Sequence, residues 1–260
     1  MEFFLFIVAN LIFFFLAYKV TKGKKKVALV LMFFLIGCIV IRIVLNFRPD
    51  WESLVFPSIN YIKYQGFWFY LIASVFFGTT VSYLHIKWNK VVLAATWVLV
   101  IMYGLHSNLW LITMKTYGKQ IFPNIDNHHL YQSTIYTCAP ASCAIAASYF
   151  DIRLSEQEMA RRCLTTENYG TNLFNIYRGL KLTLPKDKYD IQIKKLTVEE
   201  LVIKNQVSVT LWEEIMHVIC VVGMGDSVWV HDPLKRVPET WEKSKLEDRY
   251  NGFAVIIKPF

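Results

Sequence analysis

The chain has 260 residues, 55% of them apolar, and a formal net charge of +8. That much apolar residue argues against an ordinary soluble domain. The positive charge gathers beside one apolar run instead of interleaving with aromatic residues, which argues against nucleic acid as a partner. Five cysteines (Cys38, Cys138, Cys143, Cys163 and Cys220) with no C-x-x-C pair argue against a zinc site and a dense disulfide scaffold; one bridge among Cys143, Cys163 and Cys220 stays open.

Long apolar runs occupy 3–18, 27–45, 67–84 and 91–112. Each approaches the roughly 17–25 residues needed to cross a hydrocarbon core about 30 Å thick, which predicts an α-helical membrane region of four spans over 1–112. The first run lacks a basic leading segment and a small-x-small cleavage site, so it reads as a retained span and not a signal peptide. Tyr18, Trp68, Tyr70, Trp88 and Trp110 lie near the run ends, where amphipathic rings suit the membrane interface. Arg42 lies close enough to the end of its run to snorkel. The first loop carries Lys19, Lys22, Lys24, Lys25 and Lys26, and the third carries Lys87 and Lys90. The longer second loop, about 46–66, has only Arg48 and Lys63, offset by Asp50 and Glu52. Loops one and three are therefore expected in the cytoplasm. The amino terminus and everything after 112 are expected outside it, in a multi-pass protein whose partner is the lipid bilayer.

Residues 113–130 mix Gly, Pro, Asn and Asp without an apolar period and read as a connector. The remaining 131–260 read as one domain. A helix rich in small residues is expected from Cys138 to Phe150. Capping boxes at Ser155–Glu158 and Thr197–Glu200 announce two more helices, and another is expected from Asn172 to Leu182. Past 206 the period changes to two. VSVTLW, HVICVVGM, SVWVHD and FAVIIKPF read as strands, with GMGDS as a hairpin turn. Helices followed by an antiparallel sheet define an α+β domain.

The chemistry-bearing residues lie in QSTIYTCAPAS, HVICVVGM and VWVHDPL. Cys138 opens a helix, where the positive end of the macrodipole favours the nucleophilic thiolate. Acyl transfer also needs a base, a group to orient it and donors for the oxyanion. Gln132, six residues upstream, offers a side-chain amide beside the Cys138 backbone N–H. His217 opens one strand and Asp232 ends the next, and an antiparallel hairpin brings the two together. His231, next to Asp232 on an alternating strand, is expected to face the other way. His128 and His129 are read as solvated connector residues and Asp226 as a turn residue. Glu213 and Glu214 are read as loop charges, and Trp212 and Trp229 as core residues in preference to substrate subsites.

These three segments resemble the motifs of the bacteriocin-processing cysteine peptidases, papain-like domains that cleave leader peptides, often after Gly-Gly. The resemblance covers about 130–258. It implies a papain-like peptidase domain with Cys138 as nucleophile, His217 as base, Asp232 as orienting acid and Gln132 as oxyanion donor. KSKLEDRYNGFAVIIKP is similar to the family's closing helix and strand. Ala139 stands where a glycine is common, and no Walker A lysine loop occurs in the sequence. The expected function is that of a membrane-anchored cysteine peptidase without cofactor or metal, acting on a peptide or protein substrate such as a membrane-borne or secreted precursor. A non-cleaving peptide-binding module of the same fold is the alternative, as is a thiol amidase or acyltransferase acting on cell-wall or other substrates.

Overall fold

The structure is a computed structural model that describes residues 2–55, 59–108, 117–167, 170–212 and 217–260. The chain divides into two compact units, Met1–Arg48 with Lys63–Thr113, and Pro49–Ile62 with Met114–Phe260.

Four long helices, α1 (Glu2–Thr21), α2 (Lys25–Phe47), α4 (Ile59–Tyr83) and α5 (Lys87–Asn108), occupy the four apolar runs, and a short helix α3 (Pro49–Val55) lies between the second and third runs. Among the described residues, two helical stretches are long and apolar enough to cross a membrane, Lys25–Leu45 and Lys87–Leu105. Within the other two, the apolar stretches among the described residues are Leu5–Thr21 and Trp68–Tyr83.

The first unit packs around Phe6, Phe14, Tyr70, Val81, Trp97 and Ile101. At Gly78 an added Cβ would lie 2.3 Å from the Phe14 carbonyl oxygen, so α1 and α4 touch backbone to backbone there. Buried polar side chains cross-link the helices: Trp97 Nε1 donates to Ser74 Oγ (2.9 Å), and Ser74 Oγ donates to Asn10 Oδ1 (2.6 Å). The Tyr70 ring, expected near an interface, is buried edge-on against Phe6. Trp110 lies outside the described residues.

The second unit is built on a six-stranded sheet of order β1-β6-β2-β3-β4-β5, with every neighbouring pair antiparallel. The strands are β1 (Tyr189–Lys195), β2 (Val207–Trp212), β3 (His217–Gly223), β4 (Ser227–His231), β5 (Glu239–Glu242) and β6 (Tyr250–Pro259). The helices are α6 (Cys138–Ser148), α7 (Glu156–Arg162), α8 (Leu173–Lys181), α9 (Val198–Leu201) and α10 (Lys243–Glu247). One sheet face, with Ile191, Val209, Val218, Cys220 and Val255, packs against α6, α7 and α8. The other, with Ile219, Val221, Val230 and Ile256, packs against α9 and α10. A strand covered on both faces reads as a continuous apolar run, and every residue of β3 is buried.

Two strands escape the sequence reading. β1 alternates Ile191 and Ile193 with charged residues, and β5 is only ETWE. Both lie at edges of the sheet, where charge and brevity discourage unwanted pairing. Of the two capping boxes, only Thr197–Glu200 closes reciprocally. At the other, Ser155 accepts from the Glu158 backbone, while the Glu158 carboxylate is drawn to Arg161 (3.0 Å) and Arg162 (3.2 Å).

Candidate active site

Cys138 is the first residue of α6, and its side chain is half-buried while Ala139–Ser148 behind it are all buried. Small side chains let this helix lie close against the sheet. One turn past the thiol, Ser142 Oγ donates to the Val218 carbonyl (3.0 Å), which fixes the start of α6 over the start of β3. His217 is the residue before Val218, and its imidazole lies within hydrogen-bonding reach of the Cys138 thiol.

Asp232 follows β4 directly. The β3–β4 register pairs Cys220 with His231 and Gly223 with Val228, so the start of one strand meets the end of the other. His217 Nε2 and Asp232 Oδ1 are 2.6 Å apart, with both side chains buried. The same carboxylate oxygen accepts from the Leu234 backbone N–H (2.9 Å). With Nε2 turned to the carboxylate, Nδ1 is the nitrogen left for the sulfur. Burial alone would pull the His217 pKa down. Its hydrogen bonds to Asp232 and Cys138 outweigh that and raise it to about 9. Burial likewise pushes Asp232 up, but the bonds from His217 and the Leu234 backbone leave it below the usual carboxylate value.

Gln132 is buried and fastened twice. Its backbone N–H donates to the Pro233 carbonyl (3.0 Å), tying it to the residue after Asp232. Its side-chain Nε2 donates to the Thr134 carbonyl (2.8 Å). Nε2 carries two hydrogens, so one can anchor the amide while the other remains to donate. The Thr134 carbonyl also accepts from the Thr137 hydroxyl (3.0 Å) and backbone N–H (3.3 Å), and Thr137 immediately precedes the cysteine. A tight turn therefore joins the amide to the thiol.

The structure thus brings Cys138, His217 and Asp232 together and threads Gln132 to both sides of the group. His231 is held elsewhere. Its Nε2 hydrogen-bonds the Tyr149 hydroxyl (2.7 Å), and its ring stacks on His129 at 5.6 Å. Burial, with His129 and His128 nearby, pulls its pKa down to about 3. His129 and His128 are not solvated as expected. His129 Nε2 bonds the Lys235 carbonyl (2.9 Å), and His128 bonds Ser148 (3.0 Å) and stacks on Tyr149. No periodic signal marks a loop that folds back onto a sheet, so the sequence left these two in solvent.

The cysteines are all free thiols, and burial pushes both Cys143 and Cys220 well above the ordinary thiol range. Trp229 packs against the main core. Glu213, Glu214 and the Trp212 side chain lie outside the described residues. Sequence reasoning missed Thr134, Thr137, Ser142 and Glu156. Only the short hydroxyl-rich stretch before Cys138 hints at any of them.

A helix-opening thiol, a strand-borne imidazole with its carboxylate, and a helical lobe before an antiparallel sheet fit a C39 peptidase-like fold. Residues 119–255, more than half of the chain, match the sequence profile of the Peptidase_C39 like family, and the chain belongs to that family. Among solved structures it is similar to a double glycine motif protease from an AMS/PCAT transporter in complex with the leader peptide. That match has 17% identity over 56% of this chain and 96% of the other, with a TM-score of 0.44. It is also similar to the peptidase domain of Streptococcus ComA, a bi-functional ABC transporter involved in a quorum sensing pathway. There the identity is 18% over 50% and 97% of the two chains, with a TM-score of 0.43. A third likeness is to the N-terminal peptidase C39 like domain of the toxin secretion ATP-binding protein from Vibrio parahaemolyticus. It has 12% identity over 49% and 100% of the chains, with a TM-score of 0.38. The comparison with curated proteins gave no match.

Proposed function

We propose that this chain is a membrane-anchored cysteine peptidase that cleaves a peptide or protein precursor, such as a leader peptide. The observation that carries the reading is the buried His217–Asp232 pair, 2.6 Å apart, with the Cys138 thiol in reach of the same imidazole. In the first half-reaction the Cys138 sulfur attacks the scissile carbonyl, and the carbonyl electrons move onto oxygen. The Cys138 backbone N–H and the second Gln132 Nε2 hydrogen hold that oxyanion. Collapse expels the amine, which takes a proton from the His217 imidazolium, leaving a thioester on Cys138. His217, now neutral and held by Asp232, removes a proton from water as the water attacks the thioester. The acid product leaves, and the thiolate–imidazolium pair returns.

The anchor is read as four spans with the peptidase domain outside the cytoplasm. Helix α3 supports the pairing of sides, because it packs with β1 and α8 inside the second unit. A segment between two spans that folds with the peptidase domain lies on that domain's side of the bilayer.

The test uses the full chain in detergent with a thiol-directed peptide probe that acylates a nucleophilic cysteine. Labelling is expected at Cys138, absent in Cys138→Ala, and slowed in His217→Ala by about 100-fold or more, the usual scale of general acid–base help. Equal rates in the His217→Ala variant would end the proposal. The precursor is then the species that accumulates uncut in cells carrying Cys138→Ala.

A further inference from the structure

One buried carboxylate beside this site remains without a role. Glu156, the first residue of α7, exposes no surface. Its Oε1 accepts the Ser133 backbone N–H (2.9 Å), and its Oε2 accepts the Lys119 backbone N–H (2.9 Å) and the Ser133 hydroxyl. Its own backbone N–H donates to the Ile121 carbonyl (2.9 Å). The chain bends around the carboxylate at Gly118, whose φ is +92° and where an added Cβ would lie 3.1 Å from Oε2. Two of the three donors on the carboxylate belong to the residue that follows Gln132.

Residues 132–134 are therefore fastened one by one. Gln132 is held by the Pro233 carbonyl, Ser133 by Glu156 and Thr134 by Thr137. The Ser133 peptide is the hinge between the anchored Gln132 backbone and the carbonyl that its amide grips. Turning that peptide moves the amide relative to Cys138. A carboxylate accepts all three donors at once, whereas a glutamine at 156, whichever way its amide is turned, would point an N–H₂ group at one of the two backbone N–H donors. We infer that Glu156 is a positioning residue: it holds the segment 132–134 so that the Gln132 amide faces the oxyanion. The inference rests on the reading of Gln132 as an oxyanion donor.

Two reagents that attack the same sulfur separate this role from plain stabilisation. Iodoacetamide forms the sulfur–carbon bond by displacing iodide at a saturated carbon, so no oxyanion develops. N-acetylglycylglycinal adds reversibly, and its carbonyl electrons move onto an oxygen that has to sit where the oxyanion would. With the full chain in detergent, Glu156→Gln is expected to weaken aldehyde binding by about 10- to 100-fold while the alkylation rate at Cys138 changes by less than about twofold. Gln132→Ala is expected to show the same split, and Ser133→Ala a smaller loss in the same direction. Unchanged aldehyde binding in Glu156→Gln overturns the inference, and so does a parallel loss with both reagents. Should Glu156→Gln fail to fold, Ser133→Ala decides, and unchanged aldehyde binding there overturns it. A Gln132→Ala variant that binds the aldehyde as the parent does would sink the assignment of Gln132 itself.

Discussion

His217 carries most of what pH can do to this site. Its pKa of about 9 stands above the ordinary 6.5, with hydrogen bonds to Asp232 and Cys138 holding the proton against burial. A group whose folded value is raised adds stability that is fully present below the unfolded value and disappears as pH rises through the folded one. The thermal midpoint of the full chain is therefore expected to hold below about pH 6.5 and to fall between there and pH 9, steadily with each step. Cleavage should lose its alkaline limb near pH 9, where the leaving amine runs out of a proton donor. In Asp232→Asn the largest upward pull on the imidazole is gone, so the limb moves to lower pH. The rate also drops by about 10²- to 10⁴-fold, because the ring loses its orienting partner. A pH–rate profile of the two proteins checks both statements, and an unmoved limb would refute the role of Asp232. These residues were legible in the sequence because the spacing of Gln132 to Cys138 and the order of strand-opening His217 and strand-ending Asp232 are one-dimensional signals. The His128–Tyr149–His231–His129 stack was not, since it joins a loop, a helix end and a strand that are distant in sequence.

At the scale of elements, the site depends on how α6 meets β3 and how β3 ends. The strands β2, β3, β4 and β6 were legible because they are short apolar runs parted by turn residues, with a glycine-containing hairpin turn between β3 and β4. β1 and β5 were not, being short or charged edges whose pairing is decided by the sheet. The Ser142–Val218 bond between α6 and β3 is buried, and removing the hydroxyl takes a donor from that buried carbonyl. Ser142→Ala is expected to lower stability by about 1–2 kcal/mol, read by denaturant unfolding followed through tryptophan fluorescence. Gly223, at the far end of β3, tolerates less. A Cβ there would lie 2.0 Å from the Ile203 carbonyl oxygen, and that backbone is itself held by the Asn205 N–H to Gly223 carbonyl bond (2.9 Å). Gly223→Ala should therefore cost more than Ser142→Ala, about 2–3 kcal/mol or above, because a backbone atom cannot rotate away. The opposite ranking would mean that the turn after α9 yields more easily than its hydrogen bonds suggest.

Over the whole molecule, two kinds of surface follow one another along the chain. In the first unit, Val30, Phe33 and Phe34 of α2 expose 70%, 67% and 66% of their surface, far more apolar area than water favours, which supports a lipid environment. In the second unit the apolar residues turn inward onto two faces of one sheet. Helix α3 belongs to the second unit although it lies between α2 and α4 in sequence, and Glu52 and Ser53 within it are buried there. On the proposed membrane reading, an even number of crossings separates α3 from the rest of the second unit, whichever way the chain is inserted. On the same reading, the lysines around Gly23 predict the direction, since basic loops tend to stay in the cytoplasm. A reporter enzyme that needs disulfides for activity works only outside the cytoplasm. Fused in the full chain after Val55 or after Phe260, it should be active in both places, and inserted at Gly23 it should be silent. Activity at Gly23 with silence at the other two would reverse the orientation and keep the pairing of α3 with the peptidase domain. A split between Val55 and Phe260 would break that pairing, because a helix cannot pack on β1 from the opposite side of a bilayer.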